Sequence, residues 1–154
     1  MLDNKSILIF GAGKIGRSFI GQLFGCSGYS VIFVDVDQKI IDALNQKGCY
    51  RVVIKGEKEE EIIVPIVKAI PASEKETVIQ TICEAGILAI AVGKNFLEST
   101  IPLIAGGLMA RNSQFPGMPL DIILAENMRS AADFVKNLLI SYLPVDFPVE
   151  NLIG

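Results

Sequence analysis

The stretch Ser6-Ile7-Leu8-Ile9-Phe10-Gly11-Ala12-Gly13-Lys14-Ile15-Gly16 decides how this chain folds. Ser6 to Phe10 is a short apolar run that stops at a glycine, the pattern of a buried strand. Lys14 to Phe24 then reads as a helix. Ile15, Phe19 and Leu23 recur at i, i+4 and i+8 and form its expected buried face, and Gly25 and Gly28 end it. Between strand and helix the glycines fall in the spacing G-x-G-x-x-G. Gly11 permits a tight turn, Gly13 lets a diphosphate approach the backbone, and Gly16 lets the helix pack closely. The loop from Gly11 through Ala12, Gly13, Lys14 and Ile15 to Gly16 is therefore a candidate dinucleotide cradle. Free amides at the helix start, and the helix dipole, favour a pyrophosphate there.

A second residue supports this reading. Asp35 lies 19 residues past Gly16, at the end of a second strand, Ser30 to Val34. A carboxylate there accepts hydrogen bonds from the adenosine ribose hydroxyls and repels a 2′-phosphate, so the expected cofactor is NAD rather than NADP. Asp37 is placed to cap the next helix. Lys14 and Arg17 either add positive charge near the phosphates or lie exposed on the helix.

Working outward, strands and helices alternate, which argues for a parallel sheet covered on both faces. Ile40, Ile41 and Leu44 form the apolar face of a helix that Gly48 stops. Cys49 to Lys55 and Glu61 to Val64 read as a hairpin around Gly56 and a charged turn, with Pro65 confining the second arm to an edge. Val67 to Ile70, Ile87 to Val92 and Leu120 to Ala125 read as further strands. Glu74 to Glu84, Leu97 to Arg111 and Arg129 to Leu143 read as helices, with Pro102 in the first turns of the second. In the third, Phe134, Leu138 and Leu139 point inward. The expected fold is α/β, a Rossmann-type doubly wound, mainly parallel sheet with an inserted β-hairpin, in one domain spanning 1–154.

Open sheets of this kind bind ligands at the carboxyl ends of their strands. Two more ends are candidates: Val92-Gly93, where a glycine lets the backbone pass close to a cofactor, and Glu126-Asn127, whose alternative reading is a cap on the following helix.

The bulk numbers remove other classes. The net charge of −3 argues against nucleic acid. No apolar run is long enough for a membrane helix, and no signal peptide opens the chain, so the expected location is cytoplasmic. The three cysteines are scattered and read as small buried apolar residues. The chain has no histidine, which removes His-based zinc sites and Ser-His-Asp triads, and no metal site is expected. The 51% hydrophobic content fits buried strands together with apolar surface meant for another domain or subunit. None of Tyr29, Tyr50 and Tyr142 has a lysine four residues on, so a short-chain dehydrogenase is excluded.

At this point the chain resembles the mannitol-1-phosphate 5-dehydrogenase family of polyol-specific long-chain dehydrogenases. The likeness is carried by Phe10 to Gly21, Phe33 to Gln38, Asp42 to Asn45, Ala91 to Gly93, Leu120 to Ile123 and Ala125 to Met128. Arg17, Phe19, Ile20 and Gly21 extend the first block beyond a generic glycine fingerprint. The resemblance implies hydride transfer between a nicotinamide cofactor and a polyol or its phosphate, typically mannitol 1-phosphate and fructose 6-phosphate. It implies that Asn127 helps to position the substrate, and that the hairpin is a family feature. It also implies a mostly helical C-terminal domain holding the lysine, asparagine and histidine of the proton chemistry. Those residues have no counterparts here, so no catalytic residue is expected in 1–154, which reads as a fragment or a natural truncation that is inactive alone. Two alternatives stay open: the cofactor domain of a related fructuronate or tagaturonate reductase, and a non-enzymatic NAD-sensing regulatory module.

Overall fold

A computed structural model describes all residues, 1–154. Seven strands and six α-helices follow one another as β1 (Asp3–Phe10), α1 (Gln22–Cys26), β2 (Ser30–Asp35), α2 (Gln38–Lys47), β3 (Tyr50–Lys55), β4 (Glu59–Val64), β5 (Val67–Pro71), α3 (Lys75–Glu84), β6 (Ala85–Ile90), α4 (Lys94–Gln114), β7 (Asp121–Leu124), α5 (Ala131–Tyr142) and α6 (Val149–Leu152). A π-helical turn, Gly16–Gly21, runs directly into α1. Five strands form one parallel sheet in the order β5-β2-β1-β6-β7, and β3 pairs with β4 in a separate antiparallel hairpin. This is the expected doubly wound Rossmann-type sheet with an inserted hairpin.

Alternation along β1 explains why both faces are covered. Ile7 and Ile9 enter one apolar cluster, with α2 and the hairpin; Leu8 and Phe10 enter the other, with α3, α4 and α5. All four are buried, as a central parallel strand requires. No helix is long and apolar enough to cross a membrane.

Several boundaries differ from the sequence reading. Helix α4 covers Lys94–Gln114, longer than the expected Leu97 to Arg111, which leaves Pro102 inside it rather than in its first turns. Pro102 denies the Glu98 carbonyl an amide. Nearby, the Ser99 and Thr100 hydroxyls bond the Phe96 and Leu97 carbonyls at 2.7 Å each. At the far end of α4, buried Arg111 donates to the carbonyls of Cys83, Ala85, Met118 and Pro119. It thereby ties α4 to the end of α3 and to the loop before β7. The cysteines do not share one environment: Cys83 is buried, Cys49 intermediate and Cys26 exposed at the solvent end of α1, so the buried reading fails for Cys26.

The largest correction concerns the first helix. Ile15, Phe19 and Leu23 are 50%, 59% and 52% exposed, so the apolar stripe does not face the core. The buried side carries Gly16, Ile20, Gly21 and Gly25 instead. The π-turn sets this phase, because its i→i+5 bonding brings residues five apart, Gly16 and Gly21, onto one face. The side chains opposite are bulky. A Cβ on Gly21 would collide with the Tyr50 hydroxyl and the Phe33 ring, and one on Gly25 with Val64. Large residues on the sheet and hairpin thus fill the space that glycines leave on the helix.

Tyr50 also holds the π-turn. Its hydroxyl donates to the Arg17 carbonyl at 2.6 Å, and its ring meets Phe33 edge to face. Burial raises the Tyr50 phenol well above the ordinary tyrosine range, although the nearby Arg17 guanidinium opposes this. A phenol that ionises later in the folded than in the unfolded chain contributes stability that is intact below about pH 10 and falls as pH rises further. Tyr50→Phe is expected to lower stability by about 1 kcal/mol at neutral pH and to flatten the decline above pH 10. Urea unfolding at several pH values checks both.

Candidate dinucleotide site

The glycine loop leaves the carboxyl end of β1 and turns at Gly11, whose φ of +96° suits only glycine without strain. The same residue lies against the end of β6, where a Cβ would strike the Ala91 carbonyl. The Gly11 amide donates to the Val34 carbonyl at 2.8 Å and the Ala91 amide to the Phe10 carbonyl at 2.8 Å, so the loop is laced to both neighbouring strands. Gly16 then folds back over the loop; a Cβ there would overlap the Gly11 carbonyl oxygen. Its close approach is thus mainly to the loop, and less to the sheet than the spacing suggests.

Gly13 behaves differently. Its backbone is ordinary, and nothing lies within 4 Å of where a Cβ would stand. The space above it is open. The first helical bond upstream is Arg17 N–H to the Gly13 carbonyl at 3.0 Å, so the amides of Lys14, Ile15 and Gly16 have no carbonyl one turn back. Lys14 and Ile15 are exposed, and Gly16 is buried beneath the loop.

Asp35 joins this loop to β2. One carboxylate oxygen accepts the Ala12 amide at 2.6 Å, and the other accepts the amides of Val36 and Asp37 at 2.8 and 2.9 Å. A carboxylate offers about four acceptor positions, so the oxygen facing Ala12 keeps one for another donor. Asp37 caps α2 by accepting from Lys39 and Ile40.

Gly11, Gly13, Asp35 and Val92 line one cavity of about 270 Å³ at the carboxyl edge of the sheet. The sequence reading missed its other walls: Val36 after β2, Ala72 after β5, and Phe96, Ser99 and Leu103 of α4. No sequence motif marks these walls; in the fold, Val36 and Phe96 are large apolar side chains that stand mostly in solvent. Gly93 and Asn127 lie outside this lining. Gly93, with φ +80°, donates its amide to the Glu126 carboxylate at 3.0 Å, which ties the ends of β6 and β7 together. Neither Glu126 nor Asn127 caps α5; its N-cap is Ser130, with no side-chain bond. Asn127 is exposed. The Arg17 side chain lines a different cavity, between α2 and the hairpin.

The arrangement fits a dinucleotide. It offers unpaired amides and open space for a diphosphate, a carboxylate with a free acceptor position for a ribose, and apolar walls for a flat base. Because Gly16 has no room for a methyl group, Gly16→Ala is expected to cost about 1–3 kcal/mol through displacement of the loop, read as a lower urea midpoint. An unchanged midpoint contradicts this packing.

The comparisons with known proteins agree with the geometry. Residues 5–150 match the family model described as the mannitol dehydrogenase Rossmann domain. The chain is 42% identical over 135 residues to a mannitol-1-phosphate 5-dehydrogenase of Geobacillus thermodenitrificans, a match covering 87% of this chain and 35% of that protein. Proteins of the same description from Lactococcus lactis and Bacillus velezensis are 40% and 41% identical; these matches cover 90% and 88% of this chain and 36% of each relative. The chain therefore spans about a third of the length of these relatives. With the sheet order, the glycine loop and the match over nearly its whole length, the chain belongs to the mannitol dehydrogenase family and forms its Rossmann domain.

Proposed function

We propose that this chain is the NAD-binding domain of an oxidoreductase that interconverts a polyol phosphate and a ketose phosphate, of the mannitol 1-phosphate and fructose 6-phosphate type. The observation that carries the proposal is the Asp35 carboxylate, held beside the glycine loop by the Ala12 amide and lining the same cavity as Gly11 and Gly13. The substrate class rests on the relatives, which are described as mannitol-1-phosphate 5-dehydrogenases.

In this reading Gly11, Ala12, Gly13, Lys14, Ile15 and Gly16 present the loop and helix amides to the pyrophosphate. Asp35 receives the adenosine ribose hydroxyls. Val36, Ala72 and Leu103 flank the adenine, and Val92 and Gly93 border the path toward the nicotinamide. Asp35, with Asp37 two residues on, disfavours a 2′-phosphate by charge repulsion, which selects NAD over NADP. Asn127, three residues beyond β7, positions the substrate. Bound NAD supplies the hydride acceptor, and this domain orients it.

The chemistry at the alcohol needs an acid or base that residues 1–154 do not assign. We infer that it comes from the part of the relatives beyond the matched third, and that 1–154 alone binds NAD without turnover. The uncovered ridge of Ile15, Phe19 and Leu23 supports an additional covering surface in the whole protein.

Calorimetry tests the binding claim. NAD is expected to bind saturably and NADP more weakly. Asp35→Ala, which removes a charge-assisted acceptor, is expected to weaken NAD at least about tenfold and to narrow the preference over NADP. No saturable heat from a folded sample, or an unaltered preference in the variant, overturns it. Separately, mannitol 1-phosphate with NAD is expected to give no NADH absorbance with the purified chain; clear turnover refutes the catalytic assignment.

A further inference from the structure

A second cavity, of about 460 Å³, lies between the π-turn, α2 and the hairpin. It shares no lining residue with the dinucleotide cavity. Four cationic side chains line it: Arg17 from the π-turn, Lys39 and Lys47 from α2, and Arg51 from β3. Lys39 and Lys47 are eight residues apart on the helix, so they share one face, two turns separated. Of the four, Arg51 is paired, with Glu61 at 2.8 Å. Arg17, Lys39 and Lys47 take part in none of the chain's three salt bridges. In a chain of net charge −3, this concentration of positive charge is not background.

Arg17 adds the second observation. Its Nε is buried and has no hydrogen-bond partner, the one such side-chain atom in the chain. Buried polar atoms are almost always paired, and an exception points to a missing acceptor. A guanidinium prefers a planar fork of oxygens, and lysines add point charges around a tetrahedral anion. The remaining lining is largely aliphatic, from Ile40, Leu44 and Ile63. The volume exceeds the need of a bare anion and falls in the range of small-molecule sites.

We propose that this cavity is a separate site for a phosphate dianion carried on a small organic molecule, such as a sugar phosphate. The phosphate meets the Arg17 guanidinium, Lys39 and Lys47, and the organic part lies on the aliphatic floor. The site is built beside the dinucleotide loop, since Arg17 also closes the first helical bond, to the Gly13 carbonyl. It does not depend on the identity of the dinucleotide.

Titration calorimetry with fructose 6-phosphate and with orthophosphate, at an ionic strength held constant with chloride, tests this proposal. The sugar phosphate is expected to saturate one site and to bind more tightly than orthophosphate. The double variant Lys39→Ala, Lys47→Ala is expected to weaken it at least about tenfold, with the melting temperature of the unliganded chain unchanged. Lys75→Ala, at the start of α3, serves as the charge control and keeps the parent affinity. Tighter binding of orthophosphate overturns the ester assignment. Absence of saturation with either probe, or equal affinity in the double variant and the parent, overturns the site.

Discussion

The Ala12 amide reaches across to the Asp35 carboxylate at 2.6 Å, and this contact joins the two parts of the chain on which the dinucleotide site depends. It spans 23 residues of sequence and connects the turn after β1 to the end of β2. The carboxylate is satisfied on both oxygens, by Ala12 on one side and by Val36 and Asp37 on the other. A side chain held by three amides has few orientations left, so the acceptor position that remains points in a fixed direction. Such preorganisation lowers the ordering cost of binding.

The rest of the architecture protects that geometry. β1 and β2 are paired in register from Ser6 with Ser30 to Phe10 with Val34, which brings Gly11 and Asp35 to the same sheet edge. The turn at Gly11 is pinned from both sides by strand-end hydrogen bonds. Gly16 closes on it from above, and the π-turn that follows redirects the helix so that Gly21 and Gly25 meet Phe33, Tyr50 and Val64. The hairpin is therefore more than an appendage. Its Tyr50 hydroxyl occupies the Arg17 carbonyl, and its β4 residue Val64 packs on the helix that carries the loop.

Much of this was legible in the residues. Continuous apolar runs separated by glycines revealed the parallel strands, because strands buried on both faces show no alternation to confuse with a surface. The glycine spacing and the position of Asp35 mark the loop and its partner in the sequence itself. Asp37 was recognisable as a cap from residue type alone. The face of the first helix was not. Periodicity marks where apolar residues recur, and it assumes that the core takes the large ones; here the sheet and hairpin supply the bulk, and a π-turn shifts the phase. The cavity walls at Ala72, Phe96 and Leu103 were equally hidden, since they come from elements far apart in sequence and carry no motif. The basic cavity needed three-dimensional contact too, because Arg17, Lys39, Lys47 and Arg51 are ordinary surface residues until the hairpin folds over α2.

In the proposed reading, the loop amides and the Asp35 carboxylate act on one dinucleotide together. A 15N–1H correlation spectrum of the chain, followed residue by residue while NAD is added, tests it most directly. Saturating shifts with a common affinity are expected at Ala12 to Gly16, at Val36 and at Val92. Shifts confined to other surfaces, or loop amides that stay still while NAD binds elsewhere, would contradict it.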